Sequence, residues 1–193
     1  MNSLEKIKKK ALEENIPIIM DDTLEKIYEI MNNKKAKRIL EIGTAVGYSA
    51  LCFAKFLEEN GEIDTIEKDE QRVLEAKDNI KILSPNKKIN IYEGDATEIL
   101  KTLTGKYDMI FIDAAKGKYP IFLEYSLKLL NKDGIIFADN ILYKGYVMSN
   151  YNKHKQRTAV THLREYIKLA TENPKLETEI LEVGDGLAVT KFK

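Results

Sequence analysis

Two groups of oxygen-bearing side chains stand at the ends of apolar runs in this sequence. Asp113 follows the run 107–112, and Asp139 and Asn140 follow the run 134–138. Carboxylates held close together repel each other, and a hard divalent cation such as Mg²⁺ relieves that cost. If the two runs are neighbouring strands, these three side chains are predicted to hold such a cation. Taken singly, each group more simply caps a helix or ends a strand in solvent.

A glycine-containing turn lies in the stretch 41–49 (EIGTAVGYS). The spacing of Gly43 and Gly47 differs from the G-x-G-x-x-G turn of dinucleotide-binding folds, and Glu41 would repel a pyrophosphate. Glu67 follows the next apolar run and can accept ribose hydroxyls, while Asp95 follows the third and can reach an adenine amino group. A ligand with ribose, adenine and a positive charge is S-adenosylmethionine, the predicted cofactor; a nicotinamide fold is the alternative.

The elements that must position these residues alternate along the chain. Short apolar runs predict strands at 38–42, 62–66, 88–92, 107–112 and 134–138. Helical patterns predict helices at 3–14, 22–32, 47–59, 69–83, 96–103, 118–130 and 157–172. Two final strands flank Gly184-Asp185-Gly186, a turn too short for a parallel return. The pattern predicts an α/β fold with a Rossmann-like, doubly wound, seven-stranded sheet, mostly parallel with an antiparallel last strand.

The composition limits the class of protein. The 193 residues carry 31 Lys+Arg and 31 Asp+Glu, so one domain (1–193) is predicted and no global charge favours nucleic acid or membrane. Within it, residues 1–34 are predicted to form N-terminal helices that cover the cofactor and substrate side. The single cysteine, Cys52, excludes an internal disulfide and favours a reducing, cytoplasmic location. No run of 18 apolar residues occurs, so no membrane partner is expected.

A local charge feature follows the predicted metal ligands. Residues 140–164 contain no Asp or Glu, although acids make up 31 of the 193 residues. The same window holds four cations that are predicted to contact phosphates: Lys144, Lys153, Lys155 and Arg157. Three interleaved tyrosines can stack on an extruded base. A solvated loop and helix face, or a charged dimer contact, explains the same composition.

The stretch 41–50 resembles the first motif of class I S-adenosylmethionine-dependent methyltransferases, in particular the catechol and caffeoyl-CoA O-methyltransferase group. The resemblance implies the class I methyltransferase fold and a set of cofactor-binding residues: Ile19, Met20, Glu41, Gly43, Gly47, Tyr48, Ser49, Glu67, Asp95, Ala96 and Asp113. It places Asp113, Asp139 and Asn140 at the metal ligands of the group. Lys116 matches a lysine proposed as the general base, with a solvated loop lysine as the alternative.

Some positions depart from the catechol pattern. Ala188 stands where catechol-type enzymes have a substrate-binding glutamate, and the chain has no tryptophan. The stretches 113–119, 139–145 and 157–160 most resemble the bacterial tRNA 5-hydroxyuridine methyltransferase branch. That resemblance implies formation of 5-methoxyuridine at the wobble position, a tRNA anticodon partner and a homodimer. The alternatives are an O-methyltransferase acting on catechol-like or acyl-CoA substrates and a non-catalytic S-adenosylmethionine- or RNA-binding module.

Overall fold

The computed structural model describes residues 3–83, 86–149 and 156–193. Its strands are β1 (Ala36–Ile42), β2 (Leu57–Glu67), β3 (Lys88–Glu93), β4 (Tyr107–Ile112), β5 (Leu130–Ala138), β6 (Leu176–Leu181) and β7 (Leu187–Phe192). Its α-helices are α1 (Ser3–Glu13), α2 (Asp21–Ile30), α3 (Tyr48–Phe53), α4 (Glu70–Leu83), α5 (Ala96–Thr102), α6 (Tyr119–Leu129) and α7 (Arg157–Thr171). Short 3-10 turns cover Ala54–Phe56 and Lys116–Lys118.

The strands form one seven-stranded sheet in the order β3-β2-β1-β4-β5-β7-β6. The first five strands pair in parallel, and β7 is antiparallel to both β5 and β6. The predicted fold class is therefore confirmed. The strand order reverses between β1 and β4, and this switch point is where open α/β sheets bind ligands.

Alternating side chains of the central strands build two apolar layers. On one face, Ile39 and Phe111 pack in the cluster that includes α1, α2 and α3 residues. On the other face, Leu40 and Ile110 pack in the cluster that includes α5, α6 and α7 residues. Helices therefore cover the sheet on both sides, as expected for nearly continuous apolar parallel strands.

The main differences from the predicted bounds are the early starts of β2 and β5. The predicted helix at 47–59 ends within the turn Ala54–Phe56, and β2 begins at Leu57 rather than 62. Leu57 pairs with Ala36, and Leu130 pairs with Tyr107, each followed by a shift of register. Polar residues after each leucine interrupt the apolar pattern, so strand pairing between distant segments decided these bounds.

The segment between α1 and α2 packs onto the sheet. Ile16 and Ile19 are both buried, and Gly184 donates its N–H to Asp22 Oδ2 at 3.0 Å. The N-terminal helices are thereby tied to the turn between β6 and β7. Among the helices of the described ranges, none is both long and apolar enough to cross a bilayer.

Candidate active site

A cavity of about 410 Å³ opens at the carboxyl ends of β1 to β4. Eight of the predicted cofactor-binding residues line it: Ile19, Gly43, Tyr48, Ser49, Glu67, Asp95, Ala96 and Asp113. Lys116 lines it as well, and the stretch 16–18 extends the wall formed by Ile19. Met20, Glu41 and Gly47 are not among its lining residues. The structure therefore gathers most of the predicted set around one cavity.

Backbone hydrogen bonds place the strand ends against one another. Asp113 donates its N–H to Ile42 O at 3.0 Å, and Asp139 donates its N–H to Ile112 O at 3.0 Å. A Cβ added to Gly43, whose φ is +107°, would lie 2.1 Å from the carbonyl oxygen of Asp113. Only glycine fits this point, so the turn after β1 lies directly against the end of β4.

Glu41 supports the cavity wall from inside the protein. Its side chain is 0% exposed, and its carboxylate accepts hydrogen bonds from Ser49 Oγ (2.5 Å) and Thr65 Oγ1. Burial raises the pKa of Glu41 to about 7, against the opposing effect of these two hydrogen bonds. Glu41 thus orients Ser49, which lines the cavity. Thr65 gave no signal in the sequence because it lies in the middle of a strand.

Glu67 and Asp95 are held by main-chain donors. Glu67 Oε2 accepts the N–H of Ala45 at 2.9 Å, and Oε1 accepts the N–H groups of Lys68 and Asp69. Asp95 caps α5 by accepting from Thr97 N at 2.8 Å. Hydrogen bonds from Lys118 and Thr97 hold the pKa of Asp95 well below its usual value. Both carboxylates therefore present fixed acceptors to the cavity.

Lys116 joins two of the predicted metal ligands. Its Nζ donates to Asp113 Oδ1 at 2.8 Å and to Asn140 Oδ1 at 2.7 Å. Asp139 Oδ1 accepts the N–H of Asn140 at 2.7 Å, and burial, with the charge of Asp113, raises the pKa of Asp139. We call Asp113, Lys116, Asp139 and Asn140 the strand-end cluster.

The loop after the cluster, residues 140–149, has an unusual backbone. Asn140, Tyr143 and Lys144 have φ values of 55°, 38° and 56°, a conformation that side chains such as tyrosine rarely adopt. Asp185 holds this backbone: its carbonyl accepts from Leu142 N (2.9 Å) and Tyr143 N (3.2 Å), and its Oδ1 accepts from Lys144 N at 3.0 Å. In the sequence, Asp185 is an ordinary turn residue, so this contact could not be predicted.

Arg164 fixes the other end of the same loop. Its guanidinium donates to the carbonyl oxygens of Val147 and Tyr146 at 2.9 and 3.2 Å, and also to that of Ser149. Arg164 belongs to the acid-free window, residues 140–164, and its contacts stabilise the loop.

Two of the predicted phosphate-contacting residues lie in the described structure. Lys144 is exposed within the loop, and Arg157 is the exposed first residue of α7. The start of α7 lies beside the strand-end cluster, since a Cβ on Gly117 would lie 3.8 Å from Thr158 Cγ2. Lys153 and Lys155 lie outside the described residues.

The comparisons with known proteins agree with this site. The sequence model of the O-methyltransferase family matches residues 3–193. A catechol O-methyltransferase of Niastella koreensis is 33% identical over 168 residues, which cover 82% of this chain and 75% of that protein. A caffeoyl-CoA O-methyltransferase of Populus kitakamiensis is 30% identical over 185 residues, covering 92% and 77% respectively.

A solved structure extends the agreement to the whole fold. The O-methyltransferase from Bacillus cereus in complex with SAH superposes with a TM-score of 0.88 and 26% identity, covering 99% of this chain and 90% of that one. The family match spans nearly the entire sequence, and the cavity lies where the fold binds its ligands. This chain belongs to the O-methyltransferase family and is an S-adenosylmethionine-dependent O-methyltransferase of the catechol and caffeoyl-CoA type.

Proposed function

We propose that this enzyme methylates the 5-hydroxyl of 5-hydroxyuridine at the tRNA wobble position, giving 5-methoxyuridine, with a divalent cation at the strand-end cluster. The observation that carries the proposal is the continuity between that cluster and the acid-free window 140–164. The window starts at Asn140, and its helical part begins beside the turn that carries Lys116. An acceptor with a phosphate backbone suits this surface.

The cavity supplies the groups needed for the methyl donor. Glu67 faces it with a carboxylate held by main-chain donors, and Asp95 faces it from the start of α5. We infer that Glu67 binds the ribose, that Asp95 and Ala96 flank the adenine, and that Gly43, Tyr48 and Ser49 lie along the methionine portion. Glu41 then acts through Ser49, and Gly47 through the start of α3.

The donor set of the cluster fits a hard divalent cation. Two side-chain oxygens, Asp113 Oδ1 and Asn140 Oδ1, already converge on the single positive charge of Lys116. No group of three His, Cys, Asp or Glu side chains that could hold a metal ion occurs in the parts of the chain that the structure describes. The proposed set is of another kind, with two carboxylates and an amide oxygen. A bound cation would lower the pKa of the acceptor hydroxyl.

Lys116 is the proposed proton acceptor for that hydroxyl once a bound cation has replaced its charge beside Asp113 and Asn140 and its amine is neutral. Its amine lies at the cavity, is part-buried, and is oriented by two oxygens on opposite sequence segments. Removing the proton creates the oxyanion that attacks the methyl carbon, and holding the two reactants in line supplies much of the acceleration.

Lys144 and Arg157 are the proposed contacts to the anticodon backbone. Both are exposed, Lys144 on the loop that follows Asn140 and Arg157 at the start of α7. Lys153 and Lys155 belong to the same proposal on the sequence alone. Tyr143 and Tyr146, whose ring centroids lie 6.0 Å apart, offer an aromatic face to a planar base.

A small-molecule acceptor is the second candidate. The relatives named above as catechol and caffeoyl-CoA enzymes favour it. Against a fitted catechol site, Ala188 replaces the expected glutamate and is fully buried in β7. Membership in an enzyme family gives no support to the non-catalytic alternative.

A competition of acceptors tests the proposal. Purified enzyme with Mg²⁺ is assayed for methyl incorporation into tRNA containing 5-hydroxyuridine, the same tRNA with uridine, catechol and caffeoyl-CoA. We expect methylation of the first substrate alone, and its rate should fall steeply between 50 and 200 mM salt. EDTA should abolish turnover and Mg²⁺ should restore it. Faster methylation of catechol or caffeoyl-CoA would establish the small-molecule alternative.

Two variants sharpen the result. Lys144→Ala and Arg157→Ala should each raise the KM for tRNA and reduce the salt dependence by about one phosphate contact. Lys128→Ala, which removes an exposed lysine of α6, is the matched control and should change neither quantity. Equal effects of all three variants would show non-specific attraction. In cells lacking the protein, wobble nucleosides should contain 5-hydroxyuridine in place of 5-methoxyuridine.

A further inference from the structure

We propose that Tyr119 is a positioning residue for methyl transfer, whose hydroxyl sets the place of Lys116 relative to the carboxyl ends of β4 and β5. The inference rests on the role proposed above for the strand-end cluster. Tyr119 is the first residue of α6, and its side chain is 0% exposed.

The Tyr119 hydroxyl contacts three groups of the cluster region. It donates to the carbonyl oxygen of Asp139 at 2.8 Å and lies 3.3 Å from that of Ile112. Lys116 Nζ donates to the Tyr119 hydroxyl oxygen at 3.3 Å. A phenol has one proton to donate and lone pairs that accept, so the bond to Asp139 O and the bond from Lys116 can be made at once, with Ile112 O close to the same proton. One buried atom therefore links both strand ends to the amine.

The ring around this hydroxyl is rigidly held. It packs edge-to-face against Tyr166 of α7 with 5.7 Å between centroids, and against Phe122 at 6.3 Å. These ring contacts fix the place of the hydroxyl beside the carbonyl oxygen of Asp139.

Loss of the hydroxyl would act on geometry rather than on cofactor binding. Lys116 would keep its two carboxylate and amide acceptors but lose the contact that ties it to α6. The Asp139 carbonyl, directly before Asn140, would lose its side-chain donor. A displacement of about 1 Å between reacting groups can cost 10²-fold in rate. Glu67 and Asp95 contact neither Lys116 nor the Asp139 carbonyl, so affinity for S-adenosylmethionine should not change.

The test compares Tyr119→Phe with Tyr166→Phe. The second variant removes an equally buried hydroxyl from the ring that packs on Tyr119, which makes it the matched control. Measured quantities are kcat, the KM of each substrate, S-adenosylmethionine affinity by calorimetry, and the thermal unfolding midpoint. The acceptor is 5-hydroxyuridine tRNA, or catechol if that substrate is the one turned over.

We expect Tyr119→Phe to lower kcat about 10- to 100-fold, with S-adenosylmethionine affinity within twofold of the parent. Tyr166→Phe should keep kcat within twofold. In a double-mutant cycle, Tyr119→Phe should add little to Lys116→Ala, because both changes affect the same amine. Full additivity, an equal loss in Tyr166→Phe, or a kcat within threefold of the parent would overturn the proposal.

The remaining outcomes are also decisive. If Tyr119→Phe unfolds where Tyr166→Phe stays folded, the hydroxyl is a structural group and the inference fails. If Lys116→Ala alone keeps full activity, the proposed site itself is wrong. If Lys116→Ala is inactive while Tyr119→Phe matches the parent, only the inference about Tyr119 is wrong.

Discussion

The two halves of the site are built differently. In the cofactor half, at the ends of β1 to β3, most main-chain donors to the polar side chains are nearby: Lys68 and Asp69 for Glu67, which also accepts from Ala45, and Thr97 for Asp95. In the acceptor half, at the carboxyl ends of β4 and β5 and the start of β7, contacts join distant segments. Lys116 reaches Asn140, and Asp185 holds the backbone of Lys144.

This difference matches the two tasks of the site, which are binding the adenosyl group and placing the acceptor. A strand, a turn and a helix start carry within a few residues most of what is needed to bind an adenosyl group. The acceptor half must place an amine, several oxygens and a basic loop from three separate strands. Changes in the cofactor half should therefore affect S-adenosylmethionine binding or folding, whereas changes in the acceptor half should affect kcat or acceptor KM.

Lys116→Ala should give the largest change in rate. Loss of a positioned proton acceptor costs about 10²- to 10⁴-fold in kcat, and calorimetry should show S-adenosylmethionine bound as tightly as before. Lys118→Ala removes a charge two residues away that pairs with Asp95. It should instead raise the KM for S-adenosylmethionine. A kcat loss in Lys118→Ala together with a raised KM for S-adenosylmethionine in Lys116→Ala would contradict the division between the halves.

Gly43→Ala should damage the cofactor half most severely. The new Cβ would lie 2.1 Å from the Asp113 carbonyl oxygen at a φ of +107°, so the turn and the end of β4 must separate. We expect at least a 100-fold loss of S-adenosylmethionine affinity or failure to fold, measured by calorimetry and thermal unfolding. Gly145→Ala is the control in the acceptor loop, with open space around it at φ +71°. It should cost about 1–2 kcal/mol of backbone strain.

Glu41 should make stability depend on pH. Its folded pKa is raised from 4.5 to about 7, so the folded state binds more protons in that window. The contribution of Glu41 to stability is therefore fully present below about pH 4.5 and is lost as pH rises through 7, by on the order of 3 kcal/mol. Glu41→Gln carries no charge, so its unfolding midpoint relative to the parent should rise by several degrees between pH 5 and pH 8. Glu182 is exposed, so the unfolding midpoint of Glu182→Gln should follow that of the parent over the same pH range.

Asp185→Ala should produce the smallest effect. It removes the acceptor for Lys144 N but leaves the carbonyl that holds Leu142 and Tyr143. One hydrogen bond of about 0.5–1.5 kcal/mol corresponds to a 2- to 10-fold rise in acceptor KM. S-adenosylmethionine affinity should be unchanged, and Asp185→Asn, which retains an oxygen acceptor, should largely restore the KM. An equal effect of both variants on cofactor affinity would contradict the separation of the halves.

The fold was predictable because its signals are local. The apolar runs of β1, β3 and β4 and the short turn at Gly184-Asp185-Gly186 specify the mostly parallel sheet and its antiparallel strand. The early starts of β2 and β5 were not predictable, because Leu57 and Leu130 pair with strands whose position depends on the rest of the sheet.

The sequence alone determined which residue types stand at the strand ends, because a parallel sheet brings every carboxyl end to one edge. It therefore identified Glu67, Asp95, Asp113 and Asn140 as neighbours of one ligand site. Only the tertiary structure decided that Glu41 is buried and accepts a hydrogen bond from Ser49. It also decided that Arg164 holds the loop 140–149 and that Tyr119 contacts Lys116 and Asp139. These roles depend on side-chain direction and long-range packing, which no spacing along the chain records.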